Sequence, residues 1–272
     1  MITFPNAKIN IGLYIRSRRP DGYHNLETLF YPIGLCDVLE IVPSQSGKTT
    51  LTVTGIAVDG DTEQNLVMRA YRLLESQYEL PAVDIHLHKV IPFGAGLGGG
   101  SADASYALRM LRDMFSLPLS DDDLAIQAAR LGADCPFFIY NRPLIATGIG
   151  DCFSNIDFTL AGKKIVLVKP PIAVSTAEAY SNVTPQAPSV PIGEGVAQAI
   201  TQWKDMVVND FEKSVFPKHP RIAAIKQQLY DMGAEYASMS GSGSSVFGIF
   251  DKDAYTENIF TDCYVWEGEC TV

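Results

Sequence analysis

The sequence predicts a mixed α/β protein of the α+β kind, and three observations predict it. Segments 8–15, 50–54 and 83–88 alternate apolar and polar residues, as half-buried strands do. Apolar residues recur at helical spacing after Asn65, after the glycines at 94–100 and after Ser120. The strand at 83–88, the glycine loop and a helix follow one another directly. That helix then gives way to Ser116-Leu117-Pro118-Leu119-Ser120 and a further helix, so the βαβ unit of a doubly wound parallel sheet is missing.

Taken in order, residues 8–15 place Ile9, Ile11, Leu13 and Ile15 on one face and Lys8, Asn10 and Tyr14 on the other, with Gly12 between them. Lys8 and Asn10 could point into a cleft; from this segment alone a solvated strand face is the plainer reading. Pro20-Asp21-Gly22 is a turn, since proline presets one backbone angle and glycine accepts the other. It presents Tyr23 and His24 beside Arg16, Arg18 and Arg19. Rings on a turn can stack on a base and arginines can meet phosphate; the bland alternative is a solvated surface. Segments 29–42 and 50–54 supply strands. Asn65 caps a helix carrying Leu66, Val67, Ala70, Leu73, Leu74 and Tyr78.

The stretch 91–103 organises the rest. Five glycines fall within seven residues, Gly94 to Gly100. Glycines let a ligand approach the main chain, and the first turn of the following helix offers unpaired N–H groups at the positive end of the dipole. Together they make an anion site, most often one for phosphate. Gly94-Ala95-Gly96-Leu97-Gly98-Gly99 satisfies the dinucleotide pattern G-x-G-x-x-G, but without the second strand that pattern says little. The loop ends Gly99-Gly100-Ser101-Ala102 with no lysine, so it is not the P-loop of NTPases. A connection with no ligand is the weaker reading.

Ser120 opens a helix whose first turn holds Asp121, Asp122 and Asp123. Capping and the helix dipole explain this cluster better than a metal does. The helix continues through Leu131 and stops at Gly132. Asp134 follows, wedged before Cys135-Pro136-Phe137-Phe138: it is either a cap for the next turn or a buried functional carboxylate. Segment 146–151 is a flexible stretch and a plausible domain junction, which suggests a division into 1–155 and 156–272. Beyond it lie a strand at 164–168 closed by Pro170-Pro171, a proline-rich loop at 185–191, helices near 195–205 and 221–232, and a strand at 246–250. The glycine-serine stretch 238–245 is either a plain turn or a second place for an anion.

Composition bounds the function. At 272 residues and 47% apolar the chain suits one large or two ordinary domains with ample core. It has no run of eighteen apolar residues for a membrane span and no basic-then-apolar N-terminal signal. Cys36, Cys135, Cys152, Cys263 and Cys270 are odd in number and scattered, which fits a reducing cytoplasm better than a disulfide framework or a zinc site. A formal net charge of −10 argues against a nucleic-acid partner. It also means that an anionic ligand must be held by local donors.

Asn6-Ala7-Lys8-Ile9-Asn10, residues 92–102 and Ser240-Gly241-Ser242-Gly243 resemble, in order and spacing, the three motifs of the GHMP kinases. Asp21-Gly22-Tyr23-His24, Asn65-Leu66-Val67 and Gly132-Ala133-Asp134-Cys135-Pro136-Phe137 look most like the members whose alcohol substrate carries a cytidine diphosphate. The resemblance covers nearly the whole chain. It implies a two-lobed GHMP-kinase fold, with a ribosomal-protein-S5-like N-terminal lobe that binds ATP and a ferredoxin-like C-terminal lobe. It implies transfer of the γ-phosphoryl group of ATP, with Mg²⁺, to the 2-hydroxyl of a small sugar alcohol in the non-mevalonate isoprenoid route. By similarity Lys8 and Asp134 match the catalytic pair. Pro92, Phe93, Gly94, Ala95, Gly96, Leu97, Gly98, Gly99, Gly100, Ser101 and Ala102 match the ATP loop. Tyr23 and His24 match positions that hold cytosine, with Asn10 nearby, and Tyr180 matches an aromatic on the other face of the base. No protein ligand for Mg²⁺ is assigned, and Ser101 is one candidate. Two alternatives stand beside this reading: a kinase for another small alcohol, and a nucleotide-binding module without chemistry.

Overall fold

The structure is a computed structural model that describes residues 1–57, 60–252, 254 and 256–270. In chain order the strands are β1 (Ile2–Thr3), β2 (Asn6–Arg18), β3 (His24–Cys36), β4 (Val38–Pro43), β5 (Thr50–Gly55), β6 (Val83–Lys89), β7 (Leu144–Thr147), β8 (Cys152–Asn155), β9 (Lys164–Lys169), β10 (Tyr236–Met239), β11 (Val246–Phe250) and β12 (Tyr264–Glu269). The α-helices are α1 (Leu66–Tyr78), α2 (Gly99–Met114), α3 (Asp121–Ala129), α4 (Cys135–Tyr140), α5 (Thr176–Tyr180), α6 (Ile192–Val196), α7 (Glu212–Val215) and α8 (Pro220–Asp231). The chain forms two compact units. The first comprises Met1–Ala7, Leu35–Phe93 and Gly98–Asn141; the second comprises Lys8–Gly34, Gly94–Leu97 and Arg142–Val272.

The first unit is a four-stranded sheet in the order β1-β4-β6-β5. β4 runs antiparallel to β6 and β5 parallel to it, which aligns Leu39 with Leu87, Ile41 with Ile85, Leu51 with Ile85 and Val53 with Leu87. Alternation puts these on one face, where they pack with Val67, Ala70, Tyr71 and Leu74 of α1, Ala104, Leu108 and Leu111 of α2, and Leu124 of α3. α1 starts where expected, with the Asn65 side chain accepting from Val67 N at 2.9 Å. α3 starts with a capping box: Ser120 Oγ accepts from Asp123 N, and the Asp123 carboxylate accepts from Ser120 N. α3 ends at Ala129, before the expected Gly132, because the chain tightens: Arg130 N bonds to Gln127 O and Leu131 N to Ala128 O.

The second unit holds two four-stranded sheets, in the orders β2-β3-β7-β8 and β10-β11-β9-β12. In the latter, Val166, Val168, Ala237, Met239 and Val246 pack with Ile222, Ile225 and Leu229 of α8. Three expectations are corrected here. Segment 146–151 is the end of β7 and the tight turn of the β7–β8 hairpin, with Thr147 O accepting from Gly150 N and Asp151 N, not a loose connection. The helix near 195–205 is broken into α6 and a 3-10 turn at Ile200–Asp205, where the indole N–H of Trp203 bonds back to Gln198 O at 2.9 Å. β2 is buried on both faces from Asn6 to Ile15, so its polar face is not solvated.

Candidate active site

The glycine loop needs glycine. Gly94, Gly96 and Gly98 hold φ of 59°, 76° and 72°, and Gly98 is the N-cap of α2 without a side-chain cap bond. At Gly96 space forbids a side chain as well, since a Cβ would lie 2.0 Å from Ser240 O. The N–H groups of Gly99, Gly100 and Ser101 open a 16-residue helix and have no helical acceptor before them. Backbone donors, the positive end of the dipole and the absence of side chains together favour an anion there.

Within the second unit, the two glycine motifs are one construction. Ser240 Oγ donates to Gly96 O at 2.9 Å and accepts from Asn10 N at 3.2 Å, and Ser245 N donates to Ala95 O at 3.3 Å. Asn209 Nδ2 holds the same turn through Met239 O and Gly241 O. Segment 238–245 is therefore a packed buttress behind the loop. The side chains of Ser238, Ser240, Ser244 and Ser245 are fully buried.

Lys8 belongs to this construction. It is 3% exposed, and its ammonium donates to Asn10 Oδ1 at 2.6 Å and to Gly96 O at 3.2 Å, 4.7 Å from the centre of the Phe30 ring. A buried ammonium is costly unless hydrogen-bonded, and here two oxygens and an aromatic face hold it. Asn10 is oriented in turn by its amide, which donates to Thr28 Oγ1 at 3.0 Å.

Asp134 is half-buried in the first unit, at the N-cap position of α4. Its side chain makes no cap bond, so capping is not what this carboxylate does. Ser105 Oγ bridges Ser101 O at 2.8 Å and Cys135 O at 2.7 Å, and a Cβ on Gly132 would lie 3.9 Å from Ser101 Oγ. The 132–135 turn and the first turn of α2 are thus one local structure. Cys135 beside Asp134 is fully buried; burial pushes its thiol up to about 11.

The same unit carries a cleft of about 430 Å³ that the sequence reading missed. Leu51, Val53, Leu66 and Leu87 give it apolar walls, Asn65 and Gln64 polar edges, and Phe93 and Gly100 connect it to the glycine loop. An apolar slot with a few polar groups, opening at a helix start whose free N–H groups suit an anion, has the character of a small-molecule site. Asn65-Leu66, at the start of α1, was the signal available in the sequence. Phe93, 73% exposed, is a rim residue.

The base-recognition candidates lie in the second unit. Tyr23 is 63% exposed on its turn, which is closed by Arg19 N donating to Tyr23 O at 2.8 Å and tied by Tyr23 N donating to Asp21 Oδ1 at 3.1 Å. His24 stacks on Tyr180 with centroids 4.8 Å apart and planes 19° apart, and Phe211 meets Tyr180 edge-on at 4.8 Å. At that spacing no third ring fits between His24 and Tyr180, so Tyr23 is the exposed ring of the set. Burial, helped by Arg18, lowers the His24 pKa and favours a neutral imidazole with one donor and one acceptor. Arg16 pairs with Glu27 and Arg19 with Asp21.

Residues 65–142 match the family model described as GHMP kinases N terminal domain, and residues 194–261 match that described as GHMP kinases C terminal. The chain is 54% identical over 271 residues to a Parabacteroides distasonis protein named 4-diphosphocytidyl-2-C-methyl-D-erythritol kinase, covering 99% of both chains. It is 49% identical over 271 residues to a Porphyromonas gingivalis protein of the same name, covering 98% of both. Among solved structures, a 4-(cytidine 5'-diphospho)-2C-methyl-D-erythritol kinase superposes with a TM-score of 0.85 at 30% identity, covering 100% of both chains. A mevalonate kinase from Methanococcus jannaschii superposes with a TM-score of 0.76 at 14% identity, covering 99% of this chain and 98% of its own, and shares the fold.

Proposed function

The chain belongs to the GHMP kinase family, and on that premise we propose that it transfers the γ-phosphoryl group of ATP to the 2-hydroxyl of 4-(cytidine 5'-diphospho)-2-C-methyl-D-erythritol. The observation that carries this reading is the 54% identity spanning 99% of the chain and 99% of a relative of that name. In this reading the N-terminal ATP-binding lobe is 1–155 and the C-terminal lobe 156–272; one family match, at 65–142, falls within the first and the other, at 194–261, within the second.

The residues suit the chemistry. Amides of the 92–102 loop hold the β- and γ-phosphates, and the cleft beside α2 takes the nucleoside. Asp134 accepts the proton of the attacking hydroxyl, which is a poor nucleophile at neutral pH without a base. Lys8 offsets negative charge that develops on the phosphoryl oxygens; in phosphoryl transfer positioning and electrostatics supply most of the rate. Tyr23 offers a face to cytosine, His24 offers hydrogen bonds, and Tyr180 holds His24 in place; Asn10, buried and engaged with Lys8 and Thr28, acts by orienting Lys8. Mg²⁺, when bound, neutralises phosphate charge. Ser101 offers a hydroxyl for it beside the 132–135 turn. We place the reaction in the cytoplasm and assign no nucleic-acid or membrane partner; among the described residues no helix is long and apolar enough to cross a membrane.

The test is incubation of the folded protein with ATP, Mg²⁺ and the cytidine diphosphate substrate, followed by assay of ADP. Formation of ADP with a new phosphate monoester is the expected result. Absence of ADP rejects the assignment.

A further inference from the structure

Three charges are buried together in the first unit. Lys89 ends β6, and its ammonium, 5% exposed, lies between two carboxylates: it donates to Asp37 Oδ2 and, at 2.7 Å, to Asp103 Oδ2. Asp37 is fully buried between β3 and β4, and its other oxygen accepts from Val90 N at 2.5 Å and Ile91 N at 2.8 Å. Asp103 is the fifth residue of α2, one turn beyond the glycine loop. Its second oxygen is buried without a hydrogen-bond partner, and burial pushes its carboxyl up.

Fold stability does not account for this cluster. Apolar side chains of similar volume commonly serve a core as well as buried ions do, and the unpartnered Asp103 oxygen adds a desolvation cost. What the cluster does is geometric. It grips residues 89–91, where the chain enters the glycine loop, and residue 103, where the chain has left it. The grip is close: a Cβ on Gly99 would lie 2.9 Å from Ile91 Cγ2 and 3.4 Å from Lys89 Nζ. Lys89 and Asp103 also border the cleft beside α2.

We propose that Asp37, Lys89 and Asp103 are positioning residues for the nucleotide, a brace that fixes the end of β6 against the N-terminal part of α2 and so aims the amides at the α2 start toward the phosphates. This rests on the nucleotide reading of the loop given above. The brace acts on ATP alone, since none of the three is a candidate contact for the alcohol.

The experiment compares Asp37→Asn and Asp103→Asn with the wild type in three ways: binding of a non-hydrolysable ATP analogue by calorimetry, KM for ATP and for the alcohol, and amide hydrogen exchange across 90–102. The expected result is analogue binding weakened by about tenfold or more and a matching rise in KM for ATP, with KM for the alcohol within about twofold. Exchange accelerates in 90–102 while α8 stays protected. If Asp37→Asn does not fold, Asp103→Asn decides, because it keeps an acceptor for Lys89. A folded Asp103→Asn that binds the analogue within about twofold of wild type, or raises both KM values equally, overturns the proposal. Analogue binding does not depend on the alcohol. A wild type that binds the analogue but phosphorylates nothing rejects the functional assignment and leaves the brace tested.

Discussion

Lys8 donates its ammonium to the backbone carbonyl of Gly96, 3.2 Å away and 88 residues along the chain. That bond ties the charge on β2 to the middle of the glycine loop, and Asn10 takes a second proton of the same ammonium. The position of Lys8 and the shape of the loop are therefore set together.

Lys8→Met keeps much of the volume and removes the charge. The expected outcome is a kcat lower by about 10²- to 10³-fold, the scale of losing one electrostatic stabiliser of a transition state. Lys8→Arg should not restore it, because a planar guanidinium cannot serve Asn10 and Gly96 from the same point. Steady-state kinetics on variants whose melting is checked first makes the measurement.

Gly96→Ala and Gly94→Ala form a paired test of the loop. Both glycines have positive φ, so each alanine costs on the order of 1 kcal/mol in backbone strain. At Gly94 a Cβ meets nothing within 4 Å, whereas at Gly96 it lies 2.0 Å from Ser240 O. Gly96→Ala should therefore lower the melting temperature and weaken ATP binding far more than Gly94→Ala. Equal effects would mean that the buttress behind the loop yields freely.

His24 gives a pH prediction. Its folded pKa lies below the ordinary 6.5 because burial disfavours the charged ring. Between the two pKa values the unfolded chain binds more protons, so stability rises with pH through that window and is lost as the pH falls below about 6.5. His24→Gln should flatten this slope in the window just below pH 6.5, read from melting temperatures at each pH.

Thiol reactivity should follow burial. Cys135 and Cys270 are buried, with thiols pushed up to about 11, while Cys152 is exposed. Mass mapping after brief alkylation of the native protein should find Cys152 modified first and Cys135 and Cys270 protected until unfolding. Early modification of Cys135 would show that the 132–135 turn opens readily.

Much of this was legible in the sequence, and for specific reasons. The glycine loop announces itself because positive φ at three positions and a Cβ clash at Gly96 leave glycine no substitute. Asn65 and Ser120 announce helix starts because caps are local chemistry. What stayed hidden was long-range. The burial of Lys8 depends on Gly96 and Phe30, neither of which alternation in β2 can reveal. The role of segment 238–245 as a buttress depends on Asn209 and Asn10. The helix near 195–205 was misread because its apolar spacing is real, yet the chain breaks at Ala197–Ala199 before Trp203 bonds back to Gln198. The cleft beside α2 gathers residues from 51 to 103, so no single segment advertises it.

The most direct measurement is ADP formation by the wild type with ATP, Mg²⁺ and one of two alcohols: 4-(cytidine 5'-diphospho)-2-C-methyl-D-erythritol or mevalonate. The expected result is turnover of the first with kcat/KM at least about 100-fold above the second, since a site built to hydrogen-bond a base discriminates strongly against a substrate lacking it. Equal turnover of both, or turnover of mevalonate alone, would contradict the account.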